Sequence, residues 1–454
     1  MTNYTTMNIH NLSGLCCLLL LGGCLSGGGA ENTPTTAGAA TTLVKVSGDN
    51  QSAAPGSTLT QPLVVKVTDA AGSGVANVSV EFFTESPASF AGKMNETQLT
   101  DSSGQASVQY RLGTTGIYHA LARVPLLNNA KVSFAATASG ADPAFIATVP
   151  AGKLPQGIGV DTANNRIYAG NNGNQNGCDF MPLTPAASNT MTAIDGATLT
   201  AQTVTVGSSP IYPVPNPVTG RVYVANSGQG TVSVVNGADN TLIATIANTG
   251  PAHQGAVDTA NNEIWMNDSS GHRALVISGT DNTIITSVAT SQLGPHGLGF
   301  NPVTGRIYTT NVEGNTVTVI DRATRSKLKD IALPTSALGI AVNSVTNKIY
   351  IGTSLYKKIV VINGANDAVS EINVGRHVLE LTVDETNNRI YATSQSLPYS
   401  VAVIDGSSDT LLGFYPVGAC PWGVAVDPSR NRLYITQQGE DSVRVLDTSK
   451  ISFP

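Results

Sequence analysis

Apolar and polar residues alternate along most of this chain with a period of two, which is the period of half-buried β-strands. Between residues 41 and 138 the segments "PLVVKVTDA" (62–70) and "QASVQYRLG" (105–113) show the pattern clearly. About seven such strands within roughly 100 residues predict a β-sandwich. Beyond residue 143 the alternation continues, but there the chain repeats itself: "PIYPVPNPVTGRVYV" at 210–224 returns as "PHGLGFNPVTGRIYT" at 295–309. The whole chain is therefore expected to be all-β.

The repeated phrase occurs seven times, and its spacing predicts the architecture. The copies are "NNRIYAG" at 164, "TGRVYVA" at 219, "NNEIWMN" at 261, "TGRIYTT" at 304, "TNKIYIG" at 346, "NNRIYAT" at 387 and "RNRLYIT" at 430. After the first copy the interval is 41 to 43 residues. A period of about 40 to 45 residues made of strands and turns is typical of propeller blades. We therefore predict a seven-bladed β-propeller.

Each copy is entered through a six-residue corner, such as "NPVTGR" or "DTANNR". The first residue is always Asp or Asn and the fifth is always Gly or Asn. A short polar side chain at the first position can accept hydrogen bonds from the turn backbone, and Gly or Asn tolerates a positive φ. We expect seven equivalent turns on one face of the ring.

The seventh repeat lacks a full outer strand, and a matching segment stands before the first repeat. "AFIATVPAGKLP" at 144–155 is similar to "TLIATIANTGP" at 241–251, which follows a blade. We predict that a strand at 144–150 completes the seventh blade and closes the propeller over 144–454. Such closure would leave no unpaired sheet edge at the seam.

Two family resemblances follow from these residues. The segment "RVYVANSGQGTVSVVNGADNTLIATI" at 221–246 is close to the consensus of the YVTN family of seven-bladed propellers, and the similarity extends over 144–454. Residues 41–139, with "SGDNQSAAPGSTLTQPLVVKVTDAAGSGVANVSVEF", resemble the group 1 bacterial Ig-like domain (Big-1) of invasin and intimin stalks. The first resemblance implies a secreted or surface-attached protein, and the second implies a spacer.

The N-terminus reads as a targeting segment. "LCCLLLLGGC" at 15–24 has about ten apolar residues, too few for a helix to span a ~30 Å hydrocarbon core. The end of this run, from Leu21 to Cys24, resembles the bacterial lipobox, which implies a signal peptide at 1–23 and lipidation of Cys24. Residues 24–40 would be a flexible linker. The alternative is an ordinary signal peptide that happens to contain this cysteine.

The charge balance narrows the class of partner. There are 24 Lys plus Arg against 30 Asp plus Glu, so no basic surface for nucleic acid is expected. The expected partners are a membrane, through the lipid anchor, and a surface protein or glycan. We expect a monomer in the cell envelope, at the outer membrane or cell surface or else facing the periplasm.

Two cysteines remain in the mature chain under this interpretation, Cys178 and Cys420. Cys178 lies in a long insertion of blade 1, and Cys420 precedes the first strand of blade 7. Blades 1 and 7 become neighbours when the ring closes, so a disulfide there would staple the seam. Two free thiols are the alternative.

Aligning the blades assembles one polar cluster at the channel mouth. The residue five positions before each corner should lie there, and together with its neighbour it gives these candidate ligand-binding residues: Gln156, Tyr212, His253, His296, Glu380 and Trp422. Two imidazoles and a carboxylate could bind a divalent metal or act as acid and base, so His253, His296 and Glu380 are also candidate catalytic residues. Equally, the histidines could be polar residues satisfied by loop carbonyls or water. No cofactor is predicted, although the mouth leaves room for a divalent metal.

Two functions remain open. The favoured one is a non-catalytic envelope lipoprotein with an Ig-like stalk and a propeller head used for binding or scaffolding. The alternative is a propeller enzyme of the lyase or lactonase type with a His/Glu site at the mouth, because "PHGLGF" at 295–300 resembles blade openings of the virginiamycin B lyase family. The haem, P-loop, G-x-S-x-G, H-E-x-x-H and EF-hand motifs do not occur in the sequence.

Overall fold

A computed structural model describes residues 38–453, apart from 85–87, 91–92, 94, 114–115, 129, 141, 174–187, 291–293, 354–355 and 397–398. The described chain is all-β, and it forms a β-sandwich followed by a seven-bladed propeller. Within the described residues, four short 3-10 helices follow strands: Pro125–Leu127, Pro428–Arg430, Gln438–Glu440 and Thr448–Lys450. None of the helices in the described residues has the length and apolarity of a transmembrane span.

The sandwich is built from a three-stranded and a five-stranded sheet. The first contains, in spatial order, Thr42–Ser47, Leu63–Thr68 and Gln105–Val108. The second contains Gln51–Ala53, Ala130–Ala138, Gly116–Val124, Ser79–Thr84 and Asn95–Leu99. Alternate residues of both sheets, such as Val65 and Phe82, point into one apolar core. A sequence that alternates with a period of two buries every second side chain in this way when one face of each sheet is exposed to solvent.

The propeller consists of seven four-stranded antiparallel sheets, numbered here as blades 1 to 7 from the inner strand outward. Blade 1 is Pro155–Asp161, Arg166–Asn171, Thr190–Asp195 and Ala201–Thr205; blade 2 is Pro210–Asn216, Arg221–Asn226, Thr231–Asn236 and Leu242–Ile246; blade 3 is Ala252–Asp258, Glu263–Asp268, Arg273–Ser278 and Ile284–Ala289; blade 4 is Pro295–Asn301, Arg306–Asn311, Thr316–Asp321 and Ser326–Ala332. Blade 5 is Ile340–Asn343, Lys348–Gly352, Lys358–Asn363 and Val369–Asn373; blade 6 is Leu381–Asp384, Arg389–Ser394, Ser400–Asp405 and Thr410–Pro416; blade 7 is Pro421–Asp427, Arg432–Gln437, Ser442–Asp447 and Phe145–Pro150.

The outer strand of blade 7 comes from the start of the propeller sequence. Phe145–Pro150 pairs antiparallel with Ser442–Asp447, with Val149 opposite Val443. The inner strands of consecutive blades contact one another, and the inner strand of blade 7 contacts that of blade 1. The sheets therefore form a closed ring whose seam is held by backbone hydrogen bonds.

The corners adopt the turn that their residue types favour. The fifth corner residue has positive φ in all seven blades, between 48° and 65°: Asn165, Gly220, Asn262, Gly305, Asn347, Asn388 and Asn431. The side chain of the first residue accepts from the turn backbone, as Asn216 Oδ1 does from the amide of Val218 at 3.0 Å. The same side chain also reaches the next blade, since Asn216 donates to Asn262 Oδ1 at 2.8 Å.

In some blades the repeated Arg/Lys and Tyr residues reach the next blade. In blade 5, Lys348 and Tyr350 both contact the Asp409 carboxylate of blade 6, at 2.7 and 2.9 Å. In blade 2, Arg221 and Tyr223 reach Asn282 of blade 3 at 3.2 and 2.8 Å. In these two blades the basic residue and the tyrosine of the phrase contact the same side chain of the next blade.

The segment between the sandwich and the propeller contacts the ring through Asp142. The side chain of Asp142 is 8% exposed, accepts a hydrogen bond from Tyr415 of blade 6, and lies 3.5 Å from the Arg444 guanidinium of blade 7. The same guanidinium stacks over Phe145 at 4.7 Å. Pairing offsets part of the cost of burying these charges, and removal of one partner would leave the other uncompensated.

Cys420 is buried and disulfide-bonded, and its Sγ lies 3.8 Å from the Tyr399 hydroxyl. Its predicted partner, Cys178, lies outside the described residues. Blade 1 and blade 7 are neighbours in the ring, so the predicted pair would join the two sides of the seam.

We predict that Val149→Asp opens the seam. Val149 is 3% exposed and packs between blades 7 and 1, so an unpaired carboxyl there should lower the free energy of unfolding by about 3 kcal/mol. Thr148→Asp, on the exposed face of the same strand, should change it by less than about 0.5 kcal/mol. Urea denaturation followed by tryptophan fluorescence reports on the propeller, because Trp265 and Trp422 both belong to it. Equal effects of the two substitutions would contradict the closing role of this strand.

We also predict that non-reducing digestion yields one peptide in which Cys178 is joined to Cys420. In the loop-entropy model, closing so long a loop contributes about 5 kcal/mol, so reduction should lower the denaturation midpoint. Mass spectrometry before and after reduction checks the pairing. Recovery of Cys178 as a free thiol would show that Cys420 pairs elsewhere.

Candidate functional site

The site lies where the inner strands begin, at the mouth of the central channel. The mouth residue of each blade lies five positions before its corner. At the next position along the chain, four blades have glycine and three have a larger residue. The glycines are Gly157, Gly297, Gly339 and Gly423, and the side chains are Tyr212, Gln254 and Glu380. Because inner strands converge on the channel, these three side chains extend across the space that the glycines leave open.

Tyr212 and Glu380 meet across the channel. The Tyr212 hydroxyl donates a hydrogen bond to Glu380 Oε1, although blades 2 and 6 are not neighbours in the ring. The Tyr212 ring lies against Gly157, where any Cβ would overlap its Cδ1 atom. A Cβ on Gly339 would lie 2.6 Å from Glu380 Oε2. The glycines therefore make the contact between the two side chains sterically possible.

The Tyr212 hydroxyl also accepts a hydrogen bond from Trp422. Its indole Nε1 donates to Tyr212 Oη at 3.3 Å, while its carbonyl accepts a 2.5 Å hydrogen bond from Thr393 Oγ1. Trp422, Tyr212 and Glu380 thus form a chain of hydrogen bonds that runs from blade 7 through blade 2 to blade 6. The chain orients the carboxyl group and leaves the indole ring partly exposed at the mouth.

The two mouth histidines stack beside this chain and not on the carboxylate. The rings of His253 and His296 have centroids 4.8 Å apart and are tilted by 45°. His296 also meets the Tyr212 ring edge to face, with centroids 6.3 Å apart. Tyr212 therefore stands between the histidine pair and Glu380. Within the described residues, the Nδ1 atoms of both histidines and Oε1 of Gln254 are buried without a hydrogen-bond partner.

Burial shifts the protonation of all these groups toward their neutral forms. It raises the pKa of Glu380 to about 7, against the smaller opposing effect of the Tyr212 hydrogen bond. It lowers the pKa of His253 to about 4. Burial and the neighbouring His253 lower the pKa of His296 to about 3, although a hydrogen bond to the Leu338 carbonyl opposes this. Near pH 7 the histidines are neutral and Glu380 is poised between its two states.

Of the remaining candidate residues, Gln156 is buried in a hydrogen-bonded environment. Gln156 is 1% exposed, and its Oε1 accepts a 2.5 Å hydrogen bond from Asn172. Cys24 and Cys178 lie outside the described residues. Nowhere in the described ranges do three His, Cys, Asp or Glu side chains group so as to hold a metal ion. The suggested divalent metal therefore stays a prediction without a ligand set.

Three threonines hold the backbone of the mouth in place, and the sequence analysis did not identify them. Thr310, Thr393 and Thr436 occupy the seventh place of their repeats, and each donates to the mouth carbonyl of the next blade: Leu338, Trp422 and Gln156, at 2.7, 2.5 and 2.6 Å. Thr310 Oγ1 and Thr436 Oγ1 also accept from the inner-strand amides of Gly297 and Gly423. The signal was present as a recurrent threonine after the aromatic residue of the motif. Its role depends on a neighbouring blade that the local sequence does not show.

A cavity of about 180 Å³ lies in the channel next to Glu380. Its polar lining comes from Tyr212, Gln254 and Glu380, and its apolar lining includes Pro213, Pro215, Val424 and other inner-strand residues of blades 1, 2, 3, 6 and 7. The channel is thus apolar below the polar layer at its mouth.

Comparison with known proteins identifies the fold and no family. No family profile matches the chain, and no curated protein sequence matches it. A solved chain described as Kuenenia stuttgartiensis hydrazine synthase is similar, with a TM-score of 0.57 and 15% identity over 69% of this chain and 100% of that one. In all, 1536 solved chains match, and a fold shared so widely does not select an activity.

The ionisation of Glu380 should be measurable as a pH dependence of stability. The Glu380 carboxyl has a pKa of about 7 in the folded protein, against an ordinary value of 4.5 that applies to the unfolded chain. The stability that its protonated form contributes is therefore fully present below pH 4.5 and is lost as the pH rises through 7. Glu380→Gln should therefore gain stability relative to the wild type between pH 4.5 and 7, reaching roughly 3 kcal/mol above pH 7. Urea denaturation at pH 5, 6, 7 and 8 tests this. Parallel curves for the two proteins would show that the carboxyl titrates normally.

Proposed function

We propose that this protein is a cell-envelope lipoprotein whose sandwich is a stalk and whose propeller is a binding head. Lipidation at Cys24 would attach it to a membrane, and the channel mouth would contact a surface protein or glycan. In finer terms, we assign the sandwich to the group 1 bacterial Ig-like domains and the propeller to the YVTN family. These assignments rest on the residues that carry the two resemblances.

The observation that carries the binding role is the arrangement of the mouth. Tyr212 engages Glu380 and stands between it and the histidine pair, so the three candidate catalytic groups do not converge on one point. What the mouth presents is an oriented, partly exposed Trp422 beside buried polar groups. Aromatic rings with an aligned polar edge are frequent in binding surfaces, where they contribute contact area at low entropic cost.

The stalk role is supported by the way in which the sandwich joins the ring. The sandwich has its own apolar core, so it does not need the propeller to bury its sheets. Asp142, paired with Tyr415 and Arg444, fixes the connection at its propeller end. A module with these properties can hold the head at a set distance from its anchor.

An enzyme of the lyase or lactonase type is the second candidate, and one observation favours it. A carboxyl group with a pKa of about 7 is suited to general acid or base catalysis near neutral pH. Only one oxygen of the Glu380 carboxyl is available to a substrate, because Oε1 accepts a hydrogen bond from Tyr212. Hydrolysis or ring-opening of lactone substrates by the wild type, lost in Glu380→Gln, would favour this candidate over the binding head.

We predict that Cys24→Ala releases the protein from the membrane fraction. The wild type should incorporate labelled palmitate and remain with membranes, because several acyl chains at ~0.8 kcal/mol per buried CH₂ give durable attachment. The variant should be unlabelled and soluble. Protease treatment of intact cells then tells whether the head faces outward. Labelling that persists in Cys24→Ala would remove the lipoprotein assignment.

The binding role predicts that Trp422→Ala weakens ligand capture at the mouth. Glycan arrays and cross-linking to envelope proteins on intact cells should each be run with the wild type, Trp422→Ala and Val303→Ser. Val303 lies in a corner at the opposite end of the inner strand and is 59% exposed, which makes it a matched control. Loss of a ligand in Trp422→Ala with retention in Val303→Ser supports the proposal, whereas equal behaviour of all three proteins contradicts it.

A further inference from the structure

The buried carboxyl of Glu380 lacks a cationic partner among the described residues. Its side chain is 3% exposed, yet none of the ion pairs between described residues includes it. Some other buried carboxylates of the propeller are ion-paired, as Asp258 is with Arg322 at 3.1 Å and Asp268 with Arg273 at 2.9 Å. Asp384, which is also buried, instead accepts hydrogen bonds from the amides of its turn, and within the described chain Glu380 has neither kind of support beyond the Tyr212 hydroxyl. A buried carboxylate without a counter-ion is costly, and an external cation could supply the missing partner.

The space beside this carboxyl is suited to a cation with an apolar body. Tyr212 donates to Oε1, and no described residue donates to Oε2. The adjoining cavity of about 180 Å³ is lined by Glu380, by Gln254, whose Oε1 is a buried acceptor without a partner among the described residues, and by Tyr212. No Lys or Arg lines it, and its walls include Pro213, Val214 and Leu381. Acceptors, an aromatic ring and aliphatic walls are the features that recognise organic ammonium ions.

We propose that this cavity binds a small organic ammonium ion, with its cationic head at Glu380 Oε2 and Gln254 Oε1 and its carbon groups against the aliphatic walls. The inference rests on the proposed function to the extent that it names a ligand class for the propeller as a binding head. The volume corresponds to about six water molecules at ~30 Å³ each, which is enough for an ion of the size of choline.

An inorganic cation fits this lining less well. Ca²⁺ requires 6 to 8 oxygen ligands at about 2.3–2.6 Å, and Mg²⁺ requires octahedral geometry. The cavity offers one carboxyl group and one amide oxygen as acceptor side chains, between proline, valine and leucine walls. The two neighbouring histidines are neutral above pH 5, so they would not repel an organic cation.

Isothermal titration of the full-length mature protein with choline, and with its uncharged isostere 3,3-dimethylbutan-1-ol, tests the proposal. Choline should bind at least tenfold more tightly than the alcohol, and Glu380→Gln should remove that preference. The cation requires the ionised carboxyl, whose pKa is about 7, so choline should bind about tenfold more tightly at pH 8 than at pH 6. Tyr212 and the two histidines, the other titratable groups of the layer, do not change state in this range.

Two variants keep the test interpretable. Tyr212→Phe removes the hydrogen bond to Glu380 and retains the ring, so it should preserve the preference for choline over the alcohol. Gln254→Leu removes the second acceptor and should weaken choline binding while leaving the pH dependence intact. Circular dichroism and denaturation midpoints show whether each variant is folded.

Several outcomes would overturn the proposal. These are equal binding of choline and the alcohol, undiminished choline binding by Glu380→Gln, or displacement of choline by millimolar Ca²⁺ or Mg²⁺. Failure here is distinguishable from failure of the binding role. If the array and cross-linking experiments detect a ligand lost in Trp422→Ala but choline does not bind, the binding head stands and the ammonium site is rejected.

Discussion

The antiparallel pairing of Phe145–Pro150 with Ser442–Asp447 is the contact on which the propeller depends. A single blade cannot bury both of its faces, so each relies on its neighbours, and a ring without closure would leave two blades half exposed. Once the seam is paired, every inner strand contacts two others and the channel has a continuous wall. The position of every mouth residue follows from that closure.

The repeated phrase can be understood as a set of contacts between blades. Its first Asp or Asn orders a corner. In blades 2 and 5 its basic residue and aromatic hydroxyl contact the next blade, and in the three blades where its seventh residue is threonine, that residue donates to the next mouth carbonyl. These contacts are individually modest, since a net hydrogen bond contributes about 1 kcal/mol. Repetition around the ring makes them a substantial constraint on how the inner strands converge.

The candidate site arises where the repeat is broken. Four blades have glycine at the channel position, whereas Tyr212, Gln254 and Glu380 replace it in the other three. The glycines provide the space, and the three side chains occupy it, with a carboxyl group taken far from bulk water. The raised pKa of Glu380 and the neutral histidines are consequences of that burial, and they give the channel its chemical character.

The sequence by itself determined the all-β class, the number of blades and the turn at each corner, because period-two burial and the φ preferences of Gly and Asn are local properties. It also brought His253, His296 and Glu380 to one end of the channel by alignment. Only the tertiary structure decided that Tyr212 separates that carboxyl from the histidines, because blades 2 and 6 lie far apart in sequence and meet across the lumen. Contacts across a closed ring depend on the diameter of the ring and on which blades have glycine at the channel position. The sequence of one repeat determines neither of these.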